Sequence, residues 1–237
     1  MRLLVTRPEE DAAALASVLA ARGHEVVMSP VMSIRFLDEA EFPQRVWQAL
    51  LVTSANGARA LARRREAAAL KNLPVLAIGP ATAQAMADAG FRRIEAAGGD
   101  VETLAALACL RLSPDGGPLL HAAGSVVAGD LKAALTAQGF EIERAVLYEA
   151  VASDALPGAA HRALAENRAD GILLYSPRTA RIFVSLARAA GLEAALAGIT
   201  AYCLSPAVAD ALENTAFLTV KIAEQPEQAA LLALLDG

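Results

Sequence analysis

LLVTSANGAR, residues 50–59, and ILLYSPRTAR, residues 172–181, are two versions of one strand, turn and helix start. In them Ser54 lies over Ser176, Ala58 over Ala180 and Arg59 over Arg181. The likeness continues outward. VLAIGPATAQAM (75–86) matches AYCLSPAVADAL (201–212), with Pro80 over Pro206. Setting Gly23 over Gly139 (139 − 23 = 116) also superposes, without a gap, Leu3 on Leu119, Leu4 on Leu120, Leu15 on Leu131 and Leu19 on Leu135. The same shift puts Glu25 on Glu141 and Val26 on Ile142. Two homologous halves imply two similar lobes, and two lobes imply a crevice between them.

The bulk numbers narrow the class. A chain of 237 residues suits one large α/β domain or two lobes of about 100 each. Hydrophobic residues make up 55% and aromatics only 4%, so Ala, Leu and Val fill the cores. The net charge of −5 disfavours nucleic-acid or anionic-membrane partners, which need a basic face. Cys109 and Cys203 are far apart and form no CxxC, which reads as reduced thiols. Met1 leads straight into RLLVT, an opening without room for a signal peptide, and no apolar run reaches the ~18 residues of a bilayer span. A soluble cytoplasmic protein, monomeric, is the expectation.

Short apolar runs alternate with Ala- and Leu-rich segments of helical period, the pattern of βα units and parallel sheets. Strands are expected at 2–6, 25–28, 49–53, 75–78, 118–121, 141–151, 171–175, 199–203 and 217–220. A helix over 9–21 follows from Leu15, Val18, Leu19 and Arg22 at i, i+3, i+4, i+7. Gly23, Gly90, Gly139 and Gly191 stand where helices should end. The charged stretch 33–44, containing Pro43, and the long β-prone stretch 144–153 look like crossings between lobes.

Four strand-to-helix turns share a design: a small or polar residue, or an arginine, then proline. They are Arg7-Pro8, Gly79-Pro80, Ser176-Pro177 and Ser205-Pro206, with Ser54-Ala55-Asn56 as a variant. Proline fits the first helical position, and the next backbone N–H groups are unpaired donors at the carboxyl edge of the sheet. Such helix starts attract anions, and ligands of open α/β sheets bind at that edge. Proline and serine are also ordinary helix starters, which explains any single turn. A set repeated in two matched lobes better suits a ligand with many carboxylates or phosphates. Arg7 and Arg178 sit in the turns and are the carboxylate partners of choice. Arg59 and Arg181 lie deeper in their helices, where surface or inter-helix roles are expected; the run Arg63, Arg64, Arg65 reads as a solvated helix end, and Trp47 as packing.

Other chemistries lack their signatures. TRPEEDA stands where a GxGxxG would follow the first strand, and there is no GxxxxGK[ST] or GxSxG. His24, His121 and His161 are scattered without HExxH or CxxC spacing, so no metal is expected. His121 ends an expected strand and reads as a capping or packing residue.

LLVTRPEEDAAALASVLAARGHEVVMSPVM (3–32), LLVTSANGARAL (50–61), VLAIGPATAQAMADAGF (75–91), LTAQGFEIERAVLYEAV (135–151) and EQPEQAALLALL (224–235) together resemble the uroporphyrinogen-III synthase family over nearly the whole chain. The resemblance implies two α/β lobes, each a parallel sheet flanked by helices, joined by a two-stranded β connector. Lobe one would be 1–33 with 153–237, lobe two 38–143, and the connectors 32–37 and 144–151. It implies cofactor-free cyclisation of linear hydroxymethylbilane, a tetrapyrrole with eight carboxylates, to uroporphyrinogen III. The hydroxyl leaves to give an azafulvene, the fourth ring attacks through its substituted carbon, and a spiro intermediate fragments and recloses with that ring inverted. Solution closure gives the non-inverted isomer, so the enzyme's main task is orientation.

Residue by residue, Tyr148 falls at the family's tyrosine and is the implied proton donor or hydrogen-bond partner for the departing hydroxyl. A phenol is a weak acid at neutral pH, so help rather than dependence is expected. Ser54, Asn56, Gly79 and Thr82 match small polar turns of lobe two; Ser176 and Ser205 match those of lobe one. All are implied carboxylate binders. Two departures stand out. Ala123 and Ala128 occupy positions where the family often has arginine, leaving Gly124 and Ser125 with backbone donors in that turn. The usual glycine followed by two threonines is here Ser205-Pro206-Ala207.

Two rivals share the two-lobe plan. A non-catalytic binding module for a small anionic ligand predicts the same lobes, but sugar receptors need aromatics that the turns lack. A nucleotide-sugar glycosyltransferase needs acidic ligands near the turns, and Glu9 with Glu10, the nearby pair, reads more simply as first-turn helix charge.

Overall fold

Leu3, Leu4 and Val5 are apolar on both faces, as a strand between two helical layers must be. In the computed structural model they form β1 (Arg2–Val5), followed by α1 (Glu9–Ala21) and β2 (Glu25–Met28). Residues 1–127, 129–212 and 214–236 are described, Glu10 and Asp11 in the backbone alone. Ala128, one of the two alanines noted above, lies outside the described residues. The chain continues through β3 (Met32–Phe36), β4 (Ala49–Val52), α2 (Ala55–Ala62), α3 (Ala67–Leu70), β5 (Val75–Ala77), α4 (Pro80–Asp88), β6 (Ile94–Ala96) and α5 (Val101–Arg111). Then come β7 (Leu119–Gly124), α6 (Leu131–Thr136), β8 (Ile142–Ala152), α7 (Gly158–Ala165), β9 (Gly171–Leu174) and α8 (Pro177–Ala189). The last elements are β10 (Thr200–Cys203), α9 (Pro206–Asp210), β11 (Thr219–Ile222) and α10 (Gln228–Ala233).

The chain divides into two α/β units, Met1–Ser33 with Val151–Gly237 and Ile34–Ala150. The first carries a parallel sheet in the order β11-β10-β9-β1-β2; the second sheet runs β3-β8-β7-β4-β5-β6. Apart from β3, corresponding strands occupy corresponding places. Their registers agree as well: Leu3 pairs with Gly171 and Val26, and its counterpart Leu119 with Ala49 and Ile142. The duplicated stretches are thus one sheet built twice, with β1 and β2 leading the first unit and β7 and β8 closing the second. Leu37 N–H bonds to Leu147 O at 2.8 Å and Ser153 N–H to Val31 O at 2.9 Å, so β3 and β8 run antiparallel. They form the two-stranded connector that carries the chain from one unit into the other.

Side-chain alternation assigns the faces. In β4, Leu50 and Val52 enter one cluster with Ala58, Leu61 and Met86, while Ala49 and Leu51 enter another with Leu104, Leu131 and Leu135. In the first unit Ala12, Leu15 and Leu19 of α1 pack on Leu3, Val5 and Leu173. Burying each leucine there contributes about 2 kcal/mol. Gly23 and Gly139 end α1 and α6 with φ of 79° and 85°, and each hydrogen-bonds back into its helix, to Ala20 O at 2.9 Å and Thr136 O at 3.0 Å. The same turn therefore closes both copies of the unit.

Two readings need revision. Pro80, Pro177 and Pro206 begin their helices, but Pro8 stands one position earlier, as the residue before α1. The arginine run is not a uniformly solvated helix end. Arg65 is exposed, whereas Arg64 is 8% exposed in its side chain and donates to the carbonyls of Leu37, Asp38 and Ala40. A planar fork with five donors suits that cluster of carbonyls, and it ties down the stretch after β3. Arg63 pairs with Asp38 at 2.6 Å. Trp47 is buried, as expected. Among the described residues no helix is long and apolar enough to cross a membrane.

Candidate functional site

In the second unit the chain leaves β4 toward β5 and β6 on one side and returns through β7 to β8 on the other. The carboxyl ends of β4 and β7 therefore flank the topological switch point, where open α/β sheets bind ligands. Just past β4, Ser54 adopts extended backbone and caps α2, its Oγ accepting the Gly57 N–H at 2.9 Å. The helix start presses close to β7: a Cβ on Gly57 would lie 2.8 Å from the Ala122 carbonyl oxygen. That approach brings Ser54 Oγ to 2.7 Å from the Tyr148 hydroxyl on β8.

A β-bulge aims Tyr148. Ala123 pairs with Val146, but the next residue, Gly124, pairs with Tyr148. The extra residue turns the strand locally. Ser125 N–H then bonds to Tyr148 O at 2.9 Å. The ring lies against Gly124, where a Cβ would sit 2.7 Å from Tyr148 Cζ. Ser54 Oγ already accepts one amide, and one of the two hydroxyl protons is used between Ser54 and Tyr148. The other is left for a ligand. Asn56 accepts from Arg59 through Oδ1 at 2.7 Å, which fixes its side-chain amide. Ser125 is exposed beside this pair. Gly79 and Thr82 of the neighbouring turn are buried, Thr82 at 5% exposure on the covered face of α4.

The first unit repeats the plan with different chemistry. Ser176 caps α8 by accepting the Thr179 N–H at 3.1 Å and shares a hydrogen bond with Thr179 Oγ1 at 2.8 Å. Thr179 Oγ1 donates to Met32 Sδ at 3.8 Å. Met32 is the counterpart of Tyr148 (148 − 32 = 116), so the phenol belongs to one unit alone. Arg7 stacks over the Tyr175 ring, 4.6 Å from its centre, and donates to Gln228 at 3.2 Å. Burial pushes the Tyr175 phenol up, and the Arg7 charge opposes that rise. Arg178 is exposed on the first turn of α8, and Ser205 precedes α9 without a side-chain cap bond.

One pair escaped the sequence reading. His121 is 4% exposed, and its Nε2 lies 2.9 Å from Thr53 Oγ1. Burial first, and the charge of Arg144 second, push His121 down to about 4. The signal was in the duplication: LLHAAG matches LLVTRP, putting a histidine where its copy has Val5 (121 − 5 = 116). Among the described residues no three His, Cys, Asp or Glu side chains gather as a metal site requires.

The arrangement has relatives. The solved uroporphyrinogen-III synthetase from Helicobacter pylori is similar at TM-score 0.67 and 19% identity, covering 99% of this chain and 98% of that one. A mutant uroporphyrinogen III synthase from Thermus thermophilus is similar at TM-score 0.55 and 18% identity, covering 100% and 97%. At such identities the likeness speaks for the fold. No curated protein matches the sequence. The family model described as uroporphyrinogen-III synthase HemD matches residues 13–233. The chain belongs to the uroporphyrinogen-III synthase family.

Proposed function

We propose that the protein cyclises hydroxymethylbilane to uroporphyrinogen III with inversion of the fourth pyrrole ring, a cofactor-free hydro-lyase step of tetrapyrrole biosynthesis. The observation that carries this reading is the Tyr148 hydroxyl held 2.7 Å from Ser54 Oγ at the carboxyl end of the second unit's sheet. Tyr148 donates a proton to the departing hydroxyl, which leaves as water, and Ser54 supplies a hydrogen bond to the phenol oxygen as its proton moves. Attack by the substituted carbon of the fourth ring gives the spiro centre. Fragmentation and reclosure place that ring in inverted orientation, and the proton finally lost from carbon balances the one donated. No group of the protein forms a covalent bond in this sequence. Its contribution is orientation, with hydrogen bonding to the charge that develops.

The acetate and propionate groups are assigned to the helix-start donors. Ser54, Asn56, Gly124 and Ser125 serve in the second unit; Arg7, Ser176, Arg178 and Ser205 serve in the first. Gly79 and Thr82 stay in the proposal as the floor of the neighbouring turn, their burial calling for ligand contact through local opening. Protein treated exhaustively with EDTA tests the cofactor-free step. It should consume hydroxymethylbilane at the untreated rate, and turnover restored only by added metal would overturn that part of the reading.

A further inference from the structure

Many arginines of this acidic chain are matched to a carboxylate: Arg2 to Glu25, Arg45 to Glu141, Arg63 to Asp38, Arg111 to Glu95 and Arg188 to Glu193. Lys132 and Arg144 are not. Among the described residues neither side chain makes a hydrogen bond or an ion pair. Both line a cavity of about 300 Å³ in the second unit, together with Thr53, His121, Asp130 and Leu131. It opens on the face of the sheet opposite α2, where Leu131 of α6 packs. Arg144 stands beside His121 in the register of β7 and β8. Asp130 is committed to the Ala133 N–H at 2.9 Å, capping α6. The cavity therefore presents two uncommitted cations, one engaged carboxylate, and a buried Thr53–His121 pair at 2.9 Å as a neutral hydrogen-bonding wall.

We propose that the cavity bounded by Thr53, His121, Lys132 and Arg144 binds a small carboxylate- or phosphate-bearing anion. Its volume lies at the low end of small-molecule sites, enough for one anionic arm or a free small anion. Ile142 and Leu131 give it an apolar lining, and Lys132 and Arg144, both exposed, supply its positive charge. It lies at the same switch point as Ser54 and Tyr148 but on the other face of the sheet, and it shares no residue with that site. The inference does not depend on the reaction proposed above.

The test titrates succinate and inorganic phosphate into the full chain and follows the ring-proton signals of His121, identified among the three histidines by His121→Asn. A saturable shift is expected in the wild type, with affinity weakened about tenfold or more in the Lys132→Gln, Arg144→Gln double variant. Turnover kinetics then separate the two sources of the anion. An arm of the tetrapyrrole itself raises KM in the double variant while kcat stays within about twofold, and succinate competes. A separate small anion leaves KM and kcat unchanged while the His121 response is lost. No saturable shift up to tens of millimolar, or an equal shift in the double variant, overturns the proposal. The titration reads the pocket even in protein without turnover.

Discussion

Gly124→Ala probes the packing that holds Tyr148. A Cβ there would lie 2.7 Å from Cζ, 2.8 Å from Cε2 and 3.1 Å from the hydroxyl oxygen of Tyr148. Carbon atoms pack at about 3.5–4.0 Å, so the ring must retreat by roughly 1 Å. The 2.7 Å bond to Ser54 does not survive a retreat of that size. Overpacking costs about 1–3 kcal/mol and the lost hydrogen bond about 1 kcal/mol, giving a destabilisation of about 2–4 kcal/mol. Gly124 is outside the left-handed backbone region, so the clash comes from the ring alone. The entropy that alanine removes from the unfolded chain is common to any background. A double-mutant cycle against Tyr148→Ala, read by urea midpoints and thermal unfolding, therefore isolates the contact. With the ring gone, Gly124→Ala should cost less than about 0.5 kcal/mol. An equal cost in both backgrounds, or none in the wild type, would refute the placement of Tyr148 over Gly124.

Other outcomes follow from the same geometry. Tyr148→Phe should slow turnover roughly tenfold, the worth of one hydrogen bond at the transition state, without abolishing it; complete loss would show that the phenol is an obligatory acid. His121 should set an acid limit on stability. Because burial holds it neutral, the unfolded chain takes up the proton first, so the stabilisation is whole above about 6.5 and drains as pH falls toward about 4. At 1.36 kcal/mol per pH unit the loss reaches about 3 kcal/mol. Urea midpoints of wild type and His121→Asn should converge over that interval, and parallel profiles would contradict the assignment.

The fold was legible wherever burial on both faces wrote an apolar run. α1 lies where the sequence put it, β4, β5, β9 and β10 came within a residue at either end, and β2, an outer strand that is only partly buried, was placed to the residue as well. Edges were harder. β6, at the end of its sheet, is three residues long with Glu95 at its centre, and solvent on one side removes the hydrophobic signal. β11, an outer strand of the first unit's sheet, starts at Thr219 rather than 217 for the same reason. β7 runs on to Gly124 through Ala122 and Ala123, small residues of low strand propensity that are buried all the same. At the site, the serine caps were readable because their chemistry is local: Ser54 and Ser176 each bond to the amide three residues on. The Ser54–Tyr148 bond spans 94 residues and depends on a bulge, which no local pattern announces. The Thr53–His121 pair is equally non-local, and only the comparison of the two copies marks the histidine as out of place.

Whether the protein governs which way the chain of pyrroles closes is answered by the isomer composition of its product. Hydroxymethylbilane given to an excess of purified protein should emerge almost entirely as the type III isomer, faster than buffer alone cyclises it. Type I alone, formed at the rate of the protein-free control, would contradict the proposed reaction while leaving the fold and the family membership standing.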